Sequence, residues 1–61
     1  MSENLLHKPE PAAARLGIGR SKLFELIAAG EIETVQIGRA RRVPEQALQD
    51  YVARLRAHGD Q

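Results

Sequence analysis

PAAARLGIGRSKLFELIAAGEIETVQIGRARRVP, residues 11–44, is the stretch that decides the fold. Ala12, Ala13 and Leu16 make a small apolar stripe at helical spacing, and the stripe stops at Gly17-Ile18-Gly19. Pro9 and Pro11 lack an N–H, but the first turn of a helix has no intrahelical partners for its N–H groups, so both fit there. A helix is therefore predicted over Pro9 to Leu16, with Glu10 at the positive end of its dipole. Gly17 takes the left-handed conformation that ends it, Ile18 plugs the turn, and Gly19 caps the next helix. That second helix runs from Arg20 to Ala29 and closes at Gly30. Leu23, Leu26 and Ile27 share one face. Ser21, Glu25 and Ala28 lie nearly opposite with Lys22 beside them, and Phe24 sits on the shoulder.

Downstream, Val35 and Ile37 alternate with Thr34 and Gln36, the period of a half-buried strand. Gly38-Arg39-Ala40 reads as a loop and Arg41 to Val43 as the return strand. Pro44 begins a third helix whose stripe is Ala47, Leu48, Tyr51, Val52 and Leu55. Upstream, Leu5-Leu6 forms a short extended lead-in. The expected fold is α+β and mainly helical: a winged helix-turn-helix of three short helices with a two-stranded β-hairpin wing. The domain is placed at residues 5–56, with disordered ends at 1–4 and 57–61.

Sixty-one residues make one small domain with a modest core. Without cysteine there is no disulfide framework and no thiol nucleophile. No run has the length of a membrane span, and the first residues lack the regions of a signal peptide, so a cytoplasmic location and no membrane partner are expected. Net charge is only +1. Its distribution says more. Arg15, Arg20, Lys22, Arg39, Arg41 and Arg42 face only Glu25, Glu31 and Glu33 within residues 15–42, a balance of +3, while the rest of the chain stands at −2. A local basic face matters more than the total for a polyanionic partner, although ordinary solvated surface is the competing reading.

The chemistry of that face suits double-stranded DNA. A helix fits the major groove and enters by its N-terminal turn, where backbone N–H groups and the dipole favour phosphate. Arg20, Ser21 and Lys22 occupy this turn. Arg20 or Lys22 can donate to guanine, Ser21 can bond to phosphate or a base edge, and Glu25 can accept from a cytosine amino group. Phe24 either packs under the wing or touches the sugar-phosphate wall. Arg39, Arg41 and Arg42 surround a glycine turn, where a two-stranded ribbon reaches the adjacent backbone or minor groove. Their side chains cannot all point one way, so Arg39 at the tip is assigned to DNA and one of Arg41 and Arg42 to bracing against Glu31 or Glu33. A solubilising edge strand is the alternative.

Other chemistries fail. Gly17 to Lys22 lacks the spacing and ending of a phosphate loop. His7 and His58 lie at opposite ends with no cysteine or second ligand near either, so no metal is expected and both read as surface histidines. Ser21 has no neighbouring base, and so short a chain leaves little room for a substrate pocket. No catalytic residue, cofactor or small-molecule ligand is expected, and the chain is read as a non-enzyme.

The string from Pro11 to Ile27, with Gly30-Glu31-Ile32, Val35 to Arg39 and Arg42-Val43-Pro44, resembles the small excisionase-type DNA-binding domains. These are relatives of the MerR winged helix-turn-helix family, found in phages, integrative elements and actinobacterial regulators. The resemblance covers roughly Leu5 to Leu55. Lys8 and Pro11 depart from the usual polar start of the first helix, which implies a weaker first turn. The resemblance implies that Arg20, Ser21, Lys22 and Phe24 begin the recognition helix and that Arg39, Arg41 and Arg42 form the basic wing. It implies a recombination directionality factor in a bacterial cytoplasm, associated with the nucleoid. Such a protein binds repeated sites near an attachment site, with weak self-association on adjacent sites, and bends DNA so that a tyrosine integrase favours excision. A small transcription regulator of the same fold is the alternative, and a protein-interaction adaptor the alternative of another class.

Overall fold

The computed structural model describes residues 5–58, arranged as β1 (Leu6–His7), α1 (Pro9–Leu16), α2 (Arg20–Ala28), β2 (Val35–Ile37), β3 (Ala40–Pro44) and α3 (Glu45–His58). Three helices with a small antiparallel sheet make the mainly helical winged helix-turn-helix expected from the sequence. The segments at 1–4 and 59–61, expected to be disordered, lie outside the described residues. The other two residues placed in the disordered C-terminus, Ala57 and His58, belong to α3.

The helix-turn-helix is set by two glycines in the same local motif. Pro9 and Pro11 occupy the first turn of α1, and the first closing bond runs from the Ala12 N–H to the Lys8 carbonyl at 2.9 Å. At the other end Gly17 takes φ +74°. Its N–H bonds to the Ala14 carbonyl and that of Ile18 to the Ala13 carbonyl, both at 3.0 Å. The paired bonds, one spanning three residues and one spanning five, define a Schellman stop. It recurs after α2: Gly30, at φ +81°, bonds to Ile27, and Glu31 to Leu26. Both stops turn an apolar residue inward soon afterwards. Ile18 is half-buried and Ile32 is fully buried.

The sheet order is β1-β3-β2. Val35 pairs with Arg42, Gln36 with Arg41 and Ile37 with Ala40, so Gly38-Arg39 is a two-residue turn and Ala40 already belongs to the return strand. Gly38 has φ +60° and Arg39 does not have a positive φ, which matches the II′ class of tight hairpin. The lead-in is a third strand, with Leu6 opposite Pro44 and His7 opposite Val43. Pro44 therefore ends β3 and does not begin α3. The ladder continues one step further, where the Glu45 N–H donates to the Leu5 carbonyl at 2.8 Å.

The core consists of Ala12, Ala13, Leu23, Ile32, Val43, Ala47 and Leu48, ringed by the partly buried Leu16, Ile18, Leu26, Ile27 and Tyr51. Three of the seven are alanines, so the elements approach closely and the buried volume is small. Two expectations fail at its border. β2 is not half-buried: Val35, Gln36 and Ile37 are all exposed, because the hairpin extends beyond the helices. Similarly, Val52 and Leu55 continue the stripe of α3 but are exposed, because the helix outruns the core that receives Ala47 and Leu48.

Candidate nucleic-acid interface

α2 is preceded by Gly19, which offers no side-chain cap, and its first turn holds no acidic residue. The N–H groups of that turn thus lie among Arg20, Ser21 and Lys22, all three exposed. The Arg20 guanidinium carbon lies 5.3 Å from the centroid of the Phe24 ring, a cation–π contact across one helical turn. Phe24 keeps 36% of its surface exposed, so it serves the surface of α2 and not the core. Lys22 Nζ lies 3.8 Å from Glu25 Oε1 in an exposed pair along the helix. Such pairs contribute about 0–1 kcal/mol, so Lys22 is readily released to another anion.

In the wing, Arg39 is the second residue of the tight turn and is exposed. Cross-strand register puts Arg41 on the face of Gln36, and puts Arg42 with Val35, Ile37 and Ala40 on the other. The expected split of the arginines is present, but the expected brace is not. Arg42 Nη1 donates to the Arg41 carbonyl at 2.9 Å. Glu31 is engaged from elsewhere: Arg54 donates to its backbone carbonyl and lies 3.9 Å from its carboxylate. Arg54 also lies over the Tyr51 ring at 5.9 Å, which fixes this corner of α3. As a result Arg20, Arg39, Arg41 and Arg42 have no carboxylate partner among the described residues.

α1 joins the two cationic elements, since it packs against both α2 and β3. Its own attachment is a polar cluster that sequence reasoning missed. His7 is not a surface histidine: its side chain is only 11% exposed and its Nε2 lies 2.6 Å from Glu45 Oε1. Arg15 Nη2 donates to Glu45 Oε2, and so does Gln49 Nε2 at 2.7 Å. The Arg15 bond, then those of Gln49 and His7, lower the Glu45 carboxyl from an ordinary 4.5 to about 2. An ionised carboxylate only accepts, so His7 must carry a proton on Nε2. Residue spacings of 38 and 30 hide this cluster from any local pattern. Its one local sign is an acid in the first turn of α3.

A shallow depression of about 300 Å³ is lined by Gly30, Glu31, Glu33, Ala47, Asp50 and Arg54, and so includes the Arg54–Glu31 contact but none of Arg20, Ser21, Lys22, Arg39, Arg41 and Arg42. No helix among the described residues is long and apolar enough to cross a membrane.

The sequence matches the helix-turn-helix domain family over residues 8–56. It is 40% identical over 52 residues to an excisionase of Streptomyces ambofaciens, covering 85% of this chain and 82% of the relative. It is 59% identical over 46 residues to a probable excisionase of Saccharopolyspora erythraea, covering 75% of this chain and 47% of that relative. The aligned segment thus spans about half of the Saccharopolyspora protein. No solved structure matches the chain. On this basis the chain belongs to the helix-turn-helix domain family, among its small excisionase-type DNA-binding proteins.

Proposed function

We propose that the chain binds double-stranded DNA through two protrusions and acts as an excisionase. The N-terminal turn of α2 enters the major groove. The β2–β3 wing lies on the neighbouring backbone or minor groove. The observation that carries this reading is the set of arginines without carboxylate partners, Arg20 on α2 and Arg39, Arg41 and Arg42 on the wing, on two elements joined through α1. In this reading Arg20 donates to guanine and Lys22 to phosphate once it leaves Glu25. Ser21 bonds to phosphate or a base edge. Glu25 accepts from a cytosine amino group, and Phe24 faces the groove wall beneath Arg20. Arg39 holds the backbone, with Arg41 and Arg42 flanking it.

One short helix reads only a few base pairs, and one small module buries limited area. Occupancy then requires several copies on repeated sites near an attachment site, with weak contacts between neighbours and bending of the duplex. The bond chemistry belongs to a tyrosine integrase, and this chain acts as an architectural partner of it. Purified chain, integrase and a plasmid carrying the two attachment sites test the proposal. Excision products that require both proteins are expected. Control of a reporter promoter with no effect on excision would replace this function with that of a small transcription regulator. Each phosphate neutralised adds about −0.9 to the slope of log affinity against log salt, so an affinity indifferent to salt would instead leave a protein adaptor.

A further inference from the structure

We infer that the wing carries an apolar contact face for the minor groove, formed by Val35, Ile37 and Ala40, and that Ile37 is the wedge that opens the groove. The inference rests on the wing being a DNA-contacting element and adds what the apolar side chains that share a face with Arg42 do. Val35 and Ile37 stand 39% and 58% exposed in a domain whose core is short of large side chains. Strand alternation and register place Ile37 and Ala40 side by side at the closing pair of the turn, with Val35 behind them. Ala40 is too small to cover its neighbour, so Ile37 stands proud of the ribbon one residue from the Gly38-Arg39 turn. Its branched Cβ holds the side chain stiffly at χ1.

Charge selects the occupant. From Thr34 to Val43 the hairpin carries Arg39, Arg41 and Arg42 and no acid. A second copy presenting the same wing would be repelled, whereas a duplex attracts it. The minor groove is about 6 Å wide and strongly negative where it narrows, which favours an inserted arginine. With Arg39 there, Ile37 meets the deoxyribose walls and the edge of a base step. Apolar side chains at this place unstack steps and kink DNA by about 20–90° toward the major groove. A pyrimidine–purine step, the most easily kinked, is expected beneath the wing.

The test uses the full chain and a 30-base-pair duplex that carries a site selected in vitro by that chain, labelled at both ends for energy transfer. The parent should shorten the end-to-end distance. Ile37→Ala and Ile37→Thr should return transfer toward that of the free duplex and weaken binding about threefold to tenfold, with an unchanged salt slope. The threonine variant keeps the branched Cβ that a strand prefers, so a bend retained by Ile37→Thr with parent affinity overturns the wedge. Arg39→Ala should instead reduce the salt slope by about 0.9. If Arg39→Ala does so while both Ile37 variants bend DNA like the parent, the wedge is wrong and the DNA-contacting wing stands. If none of the three variants changes bend, affinity or slope, the wing reading itself falls. Loss of cooperativity between copies, at an unchanged bend per site, assigns the apolar face to a neighbouring copy and rejects the groove.

Discussion

Phe24→Leu isolates a single physical effect in the proposed recognition helix. The ring lies one turn below Arg20, with the guanidinium carbon 5.3 Å from its centroid. At an exposed site a contact of this kind contributes about 0.5–1 kcal/mol. In the free protein that energy narrows the range of directions in which the arginine fork points, so less ordering remains to be done when it meets a guanine edge. Leucine keeps a helix-favouring side chain and, at a position already on the surface, removes little from the core. Loss of the ring should therefore lower affinity for a selected duplex about twofold to fivefold, which is the same 0.5–1 kcal/mol at 1.4 kcal/mol per tenfold. Phe24→Tyr retains the aromatic face and should bind like the parent. Fluorescence anisotropy on the selected duplex and its single-base variants provides the readout, with Arg20→Ala completing a double-mutant cycle. Coupling of about 0.5–1 kcal/mol is expected, with the loss concentrated at one base pair. Strict additivity of Phe24→Leu and Arg20→Ala would refute the orienting role. Parent-like discrimination by Arg20→Ala would refute Arg20 as the reader.

Three further predictions concern the scaffold. Leu23→Ala removes a fully buried side chain and should cost about 2–5 kcal/mol by chemical denaturation, most of the stability available to a domain of this size. Gly17→Ala places a Cβ in open space but at φ +74°, so a purely conformational loss of about 1–2 kcal/mol is expected in the same assay. The Glu45 carboxyl is lowered to about 2 in the fold. Its contribution to stability is thus fully present above pH 4.5 and is lost as pH falls from there through 2. Glu45→Gln should flatten the acid limb of the melting temperature in that window, and an unchanged limb would mean that the Arg15 and His7 contacts do not persist in solution.

What was legible in the sequence was local. The bounds of α1 follow from two prolines that need no N–H partner and a glycine that ends the helix, and all three act within ten residues. The hairpin turn is legible for the same reason, although its two-residue length emerges only from the pairing of Ile37 with Ala40. Errors arose where periodicity was equated with burial. Val35 and Ile37 alternate as a half-buried strand does, but no core reaches them. Val52 and Leu55 follow the helical stripe past the point where the body ends. Pro44 has the residue type of a helix start, yet its place is decided by Leu6, far away in sequence. Among the candidate site residues, the positions of Arg20, Ser21, Lys22 and Arg39 on their elements were legible. That Lys22 lies beside Glu25, Arg20 over Phe24 and Arg54 on Glu31 depends on rotamers and tertiary neighbours.

The distant polar cluster explains how so slight a core can hold two protrusions in register. Only Val43 among the strand residues enters the core, so the wing is anchored near its base and free beyond it. Val43 is also where β1 grips β3, through its pairing with His7. His7 in turn bonds to Glu45, the first residue after β3, and Arg15 of α1 holds the other oxygen of that carboxylate. One ionised group thus joins the strand behind the wing, the helix that carries α2 and the start of α3. Three alanines in the core leave little apolar area to set that angle, whereas the hydrogen bonds from His7, Arg15 and Gln49 to one carboxylate are directional. The cluster touches neither proposed DNA contact, yet a bidentate grip on the duplex requires the spacing it maintains. Glu45→Gln should therefore weaken binding to a selected duplex at neutral pH, read by fluorescence anisotropy, although Arg20, Arg39, Arg41 and Arg42 are untouched, because it releases Arg15 and loosens α1 against β3.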